Sequence, residues 1–350
     1  MMQRVLIATA LALAVSPALA QQTIKITVVG AAPPTVTPSK VTKEFFVPQV
    51  TKRLQGSPYK IEWTEAYSQT LAKFTEVFET VEEGIAQIGV QLKNFEESKL
   101  PLEQYASTIP FGATDAKVAY QIDLNLRAKV PEMQAAFTKY NQVALAHAAS
   151  ASMQMMTKFP LAKVEDLKGR KIGGSGALAM VMRGTGAVIV TANMAQSYTD
   201  IQNGVYDGYP IGIMQGFPYK TYQAAPYYTK LDFGATLVGA LSINKKTFDA
   251  LPAEVRKVIQ ETATEWSSAY YMSEVERSTQ LFEQMQKEGM KASDFPAGER
   301  KKWAMMMPNI AKEWAEALDK KGEPGTKLLT AYMDELRTAK VPLVREWDKE

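Results

Sequence analysis

The chain has 350 residues, no cysteine, one histidine (His147), 40 basic against 37 acidic side chains, and 46% apolar residues. No cysteine means no disulfide scaffold, thiolate nucleophile or zinc–thiolate site, and one histidine cannot build a multi-histidine metal shell. The nearly cancelled charge leaves no basic field for a nucleic-acid backbone, while the apolar content and length suit two folded lobes.

In chain order, Arg4, the apolar run Val5–Val15 and Ala18-Leu19-Ala20 have the layout of a secretory signal peptide cleaved after Ala20. The run falls short of the roughly 20 residues a membrane-spanning helix needs. The expectation is an exported, periplasmic chain starting at Gln21, with 39 basic and 37 acidic groups once Arg4 is removed. Ile24–Val29 then has strand composition, residues 39–54 carry apolar side chains at helical spacing, and Tyr59–Trp63 alternates as a second strand. Leu71, Phe74, Val77, Phe78 and Val81 predict a helix that Gly84 closes, followed by a buried strand over Ile85–Leu92. This β-α-β-α-β order implies parallel strands covered by helices.

A second unit follows. Strands are predicted at Val143–Ala146, Lys171-Ile172 and Ala187–Val190, with helices over Ala177–Arg183 and Gln196–Asn203. From Pro252 to Glu288 the periodicity predicts one helix of about 55 Å, long enough to bridge two lobes. A break near Ser267-Ser268 is the other possibility. Gly173-Gly174-Ser175-Gly176 opens the Ala177 helix, so its backbone N–H groups and the Ser175 hydroxyl form a candidate anion site. The alternative is a tight strand-to-helix turn and nothing more. The same stretch fits a dinucleotide fingerprint and a nucleophile elbow only formally, since its strand is short and Ala177 replaces a required glycine.

Several segments resemble periplasmic solute-binding proteins of the TRAP (tripartite ATP-independent periplasmic) transporter family, of the dicarboxylate-binding, DctP-like type. Ile109-Pro110-Phe111 resembles the family's "PF" turn, and Val164–Ile172 with Pro160 its "P…EDLKGxKI" segment. Tyr198–Gly208 resembles "YxALQxGVVDG", and Ser242–Lys245 with Leu251-Pro252 resembles "INKxxWxxLP". The resemblance implies an α/β, type II-like two-lobe periplasmic-binding-protein fold, each lobe a mainly parallel sheet flanked by helices. It assigns residues 21–146 with about 236–270 to lobe I and 147–235 with about 271–350 to lobe II, around a ligand cleft. It also implies a monomer without cofactor or metal, handing a small organic solute to a pair of integral membrane permease subunits.

The family's carboxylate-clamping arginine in "KIR" is Gly173 here, and two further polar positions read Ile211 and Gln196. The expected solute is therefore an organic acid with an aromatic or apolar body, or a neutral molecule. The candidate ligand contacts are Tyr67, Gln69, Gln91, Phe111, Gln154, Gly174, Ser175, Met194, Gln196, Tyr198, Tyr209 and Met214, near predicted strand and turn ends. A sensor for a membrane receptor and an exported hydrolase using His147 are the competing functions. No nucleophile–base–orienter set is evident for the latter.

Overall fold

The computed structural model describes residues 21–174 and 176–350, with Val238 described by its backbone only; the predicted signal peptide and Ser175 lie outside the described residues. The first strands in chain order are β1 (Gln22–Val29), β2 (Tyr59–Ala66), β3 (Ile88–Leu92) and β4 (Gln142–Ser152). Then come β5 (Met155–Thr157), β6 (Lys171–Gly174), β7 (Val188–Thr191), β8 (Gly208–Pro210) and β9 (Tyr227–Lys230). β10 (Ala235–Asn244) and β11 (Lys291–Asp294) complete the set. They form two sheets, ordered β2-β1-β3-β10-β4 and β11-β9-β5-β8-β6-β7. Each sheet is parallel except for one reversed strand, β10 in the first and β5 in the second. The architecture is thus the expected mixed α/β one.

The chain passes between sheets at the β4–β5 and β9–β10 junctions, and again along one helix, Ala253–Lys287. That helix is continuous for 35 residues, about 52 Å at 1.5 Å per residue. Pro252 caps its start, and Gly289 beyond its end adopts φ +104°. No break occurs at Ser267, whose hydroxyl donates to the His147 carbonyl at 2.7 Å. Val255, Ile259, Ala263, Trp266 and Tyr270 pack with Ile26, Val28, Ile88 and Leu241 of the first sheet. Leu281 and Met285 pack with Met156, Tyr206 and Tyr209 beside the second. One rigid helix therefore serves two cores. A third core joins helix Ala116–Lys129 to the C-terminal helices Ile310–Asp319 and Gly325–Thr338.

Two predicted helices are shorter than their periodicity suggests. The one expected from Leu71 starts at Val77, because Ser68 and Gln69 adopt left-handed φ and turn the chain, leaving Leu71 exposed. The one expected over 177–183 is the single turn Ala177–Met180, cut short before the positive-φ residues Gly184 and Gly186. The 39–54 helix instead begins at Thr37 and contains a π turn over Thr42–Phe46, just before Pro48. Proline cannot donate the helical N–H bond, and a π turn spares the clash with the preceding turn.

A buried charge cluster fixes the segment after β3. Arg127 donates to both carboxylate oxygens of Glu103 at 2.8 and 2.7 Å and to Asp123 at 2.8 Å. Lys93, fully buried, pairs with Glu103, and its Nζ lies 3.4 Å from His147 Nδ1. Two cations and two carboxylates balance only while His147 is neutral. Burial, together with the Arg127 and Lys93 charges, lowers the His147 pKa to about 3 despite Asp123 and Glu103. Arg127 and Lys93 hold the Glu103 carboxyl below its usual range against the cost of burial.

Two predictions follow from the cluster. Arg127→Met should cost about 3–5 kcal/mol in urea unfolding, because it leaves buried Asp123 without a cation and Glu103 with Lys93 alone. His147 binds fewer protons folded than unfolded between about pH 6.5 and 3, so stability falls as pH drops through that window. His147→Gln should flatten the melting-temperature slope between about pH 6.5 and 4.5, above the range where carboxylates protonate.

Candidate ligand-binding cleft

In parallel α/β sheets the carboxyl ends of the strands open into a crevice, because helices cover the faces and the return loops leave that edge free. Here the ends of β1, β2 and β3 lead into residues 30–36, 66–76 and 92–99. The ends of β6, β7 and β8 lead into 174–180, 191–198 and 211–218. The two sets approach one another: Glu97 Oε1, after β3, lies 3.5 Å from where a Cβ on Gly176, after β6, would sit. Helix Tyr105–Thr108 also packs on the turn Ala177–Met180. These two lips are the candidate site.

The lip on the first sheet holds a small recess. Ala31, Ala32, Pro38, Ser39, Phe74, Val77, Val90 and Leu92 line its volume of about 10 Å³, room for one water. Phe74 stacks on Phe95 with centroids 5.3 Å apart and planes at 28°, and Phe95 keeps 43% of its surface exposed. Tyr67 is buried behind this lip with its ring against Gly30. Its hydroxyl has no hydrogen-bond partner among the described residues. Burial, and then the Glu65 carboxylate, drive its phenol far above the usual range. Gln69 is exposed at the rim with φ +59°. Burial raises the Glu96 carboxyl to about 7, with Glu79 and Glu82 adding to the rise and Lys99 opposing it.

The lip on the second sheet explains the missing arginine. A Cβ on Gly173 would lie 2.8 Å from both the Tyr206 and Tyr209 rings. The space beside this strand position is therefore occupied by two tyrosines, and glycine is the residue that fits. The Tyr206 hydroxyl has no hydrogen-bond partner among the described residues, while Tyr209 donates to the Ala192 carbonyl at 3.3 Å. Gly174 is roomier: its nearest neighbours, the Leu178 and Ala179 backbone, stand 3.4–3.5 Å from a Cβ. The helix after it is one turn long, so little dipole backs an anion there, and the leading N–H groups of the turn are the donors available. Met194 and Met214 are half-buried on this lip, and Gln196 is exposed.

Five other candidates make hydrogen bonds or packing contacts within the fold. Gln91 donates to Ser242 Oγ at 2.9 Å inside the first sheet. Gln154 exchanges two 2.9 Å bonds with Asp232, clasping the β4–β5 and β9–β10 crossings. Phe111, with φ +60°, donates its N–H to the Phe233 carbonyl at 2.6 Å and packs its ring 5.4 Å from Phe233. Tyr209 is core beside Gly173. Tyr198 accepts from Gln202 one turn along its own helix at 2.7 Å. Phe74, Phe95 and Glu97 were not among the sequence candidates, although the strand-end rule points at Phe95 and Glu97 once β3 is seen to stop at Leu92.

The sequence pattern of the bacterial extracellular solute-binding protein family 7 (DctP) matches residues 31–317. The chain belongs to that family. Among curated proteins no match is found. The fold is shared with solved TRAP periplasmic solute-binding proteins. One, from a marine metagenome, is specific for pyroglutamate; it is 22% identical, with TM-score 0.72 over 89% of this chain and 99% of that one. One from Chromohalobacter salexigens, with bound D-glucuronate, is 16% identical, TM-score 0.74, over 90% and 99%. One from Desulfovibrio salexigens is an open complex with a symmetry mate's C-terminus in the ligand site; it is 20% identical, TM-score 0.78, over 90% and 96%. The family is one of solute-binding proteins, which sets the hydrolase alternative aside. Consistently, the His147 Nδ1 is buried against Lys93 and its ring lies 5.9 Å from Phe137. No described helix is long and apolar enough to cross a membrane.

Gly173→Ala should lower stability by about 1–3 kcal/mol by overpacking Tyr206 and Tyr209, read as a shift in urea midpoint. Gly174→Ala should melt close to the parent.

Proposed function

We propose that this solute-binding protein captures a small organic acid with an apolar or aromatic body between the two lips, and delivers it to the integral membrane subunits of a TRAP transporter. The observation that carries this reading is the convergence of the two sets of strand ends, Glu97 facing Gly176, around a lip that presents stacked aromatic rings. Acids bound by structural relatives, pyroglutamate and D-glucuronate, support the solute class. Phe74 and Phe95 offer the apolar body a ring face, Met194 and Met214 adaptable thioethers, and the Gly174–Gly176 turn its N–H donors. Gln69 stands at the rim of the first sheet's lip, with Tyr67 buried behind it.

Lobe closure is the proposed mechanism: the open form admits solute, and both lips touch it only when shut, so affinity comes from differential contact with the closed state. The lobe limits at about 146, 235 and 270, export with cleavage after Ala20, and a monomeric state belong to the same reading. Binding of a neutral solute is the second reading, favoured by the tyrosine-filled space where the family has its arginine.

A thermal-shift screen of the exported protein against organic acids, aromatic acids and neutral polyols tests both. Stabilisation by acids, with a tenfold excess over Kd contributing about 1.4 kcal/mol, and loss of acid affinity in Gly174→Val are the expected results. Stabilisation by polyols alone would favour the neutral reading.

A further inference from the structure

The charges of the two lips do not resemble those of a simple carboxylate receptor. The six lip segments, 30–36, 66–76, 92–99, 174–180, 191–198 and 211–218, contain three cations, Lys73, Lys93 and Lys99. Every one is already paired: Lys73 with Glu76 at 3.5 Å, Lys93 with buried Glu103, and Lys99 with Glu82 at 3.3 Å. The second sheet's lip contributes no basic residue at all. The strand position that would carry a clamping arginine is closed by Tyr206 and Tyr209.

Against this stand two carboxylates, Glu96 and Glu97, which form no ion pair or side-chain hydrogen bond among the described residues. Glu96 is buried near Glu79, Glu82 and Lys99. Glu97 is exposed and reaches the opposite lip, its Oε1 3.5 Å from the Cβ position of Gly176. A side chain at Gly176 would stand between the two lips; its φ of +51° and its missing Cβ keep that approach open.

An acid that offered only negative charge would meet an unpaired carboxylate where the two lips approach each other. A solute with a protonated nitrogen next to its carboxylate removes that repulsion, and the N–H···carboxylate contact is among the stronger hydrogen bonds. We infer that Glu97 is a specificity-determining residue of this cleft and that the solute is zwitterionic, an organic acid that also bears a cationic nitrogen, with its nitrogen on Glu97. The carboxylate half of this inference rests on the organic-acid reading above; the nitrogen half rests on Glu97 alone.

The test uses matched solutes that differ by one charged group. Phenylalanine, 3-phenylpropionate and phenethylamine form one set, and glutamate, glutarate and 4-aminobutyrate another, extended to the other amino acids with their deaminated and decarboxylated counterparts. Binding to the exported protein and to Glu97→Gln is measured by calorimetry and thermal shift. For at least one set, the amino acid should bind about tenfold or more tightly than its deaminated partner, and Glu97→Gln should erase that preference while melting like the parent without solute. Deaminated acids binding as tightly as amino acids, a preference that survives Glu97→Gln, or silence from every nitrogen-bearing member would overturn the inference. In the first of these the organic-acid reading stands; amines binding as tightly as amino acids would remove the organic-acid reading and leave the role of Glu97 in place.

Discussion

The two sheets share no strand, so the geometry of the cleft depends on how three short segments meet where the chain crosses between them. Residues 110–113, 152–154 and 231–235 converge there. Met153 donates to the Gly234 carbonyl and Phe233 to the Met153 carbonyl, both at 3.3 Å, while Ala235 donates to the Ala113 carbonyl at 2.7 Å. The Gln154–Asp232 exchange ties the two strand crossings to each other. Gly234 adopts φ +114°, and a Cβ there would lie 3.1 Å from the Gly112 nitrogen, so a larger residue would crowd this crossing. These bonds sit beside a hydrophobic core that joins Ala149, Ala235 and Leu237 of the first sheet to Met155 and Ile172 of the second. Movement of one sheet against the other is resisted by these bonds, by that shared core and by the bending of the long helix.

The two lips are built by different means. On the first sheet, buried ion pairs immobilise Lys93 immediately before Asn94–Glu97, so the loop that reaches the other lip starts from a fixed point. Buried pairs add little net stability compared with a hydrophobic core, yet removing one partner is costly, which suits positioning better than it suits stabilisation. On the second sheet, close packing does the work: two tyrosine rings pressed against a glycine strand replace the long flexible side chain that the family pattern carries at that place. A rigid apolar wall and N–H donors are what remain for a solute to meet.

Much of this was legible in the sequence where the signal is local. The β-α-β-α-β order, the glycine stops and the uninterrupted periodicity from Val255 to Tyr270 predicted the strands and the long helix because each needs only a few neighbours to declare itself. The side-chain roles were not local. Gln91 meets a partner 151 residues away and Gln154 one 78 residues away, so their amides read as free when the chain was taken segment by segment. The charge cluster draws on residues 93, 103, 123, 127 and 147, and no pattern along the chain groups them. The reason for glycine at 173 lies in two tyrosines more than thirty residues downstream. Phe95 and Glu97 escaped for a simpler reason, since strand patterning fixes where a run of apolar residues stops and says little of the loop beyond it.

The central claim is that one solute is held by both lips at once. Hydrogen–deuterium exchange of the protein as purified with its solute, compared with the same protein stripped by unfolding and refolding, tests it most directly. The account predicts slower exchange in residues 30–36, 66–76 and 92–99 together with 174–180, 191–198 and 211–218, alongside protection at the 110–113, 152–154 and 231–235 waist. Protection confined to one lip, or appearing outside both, would contradict it.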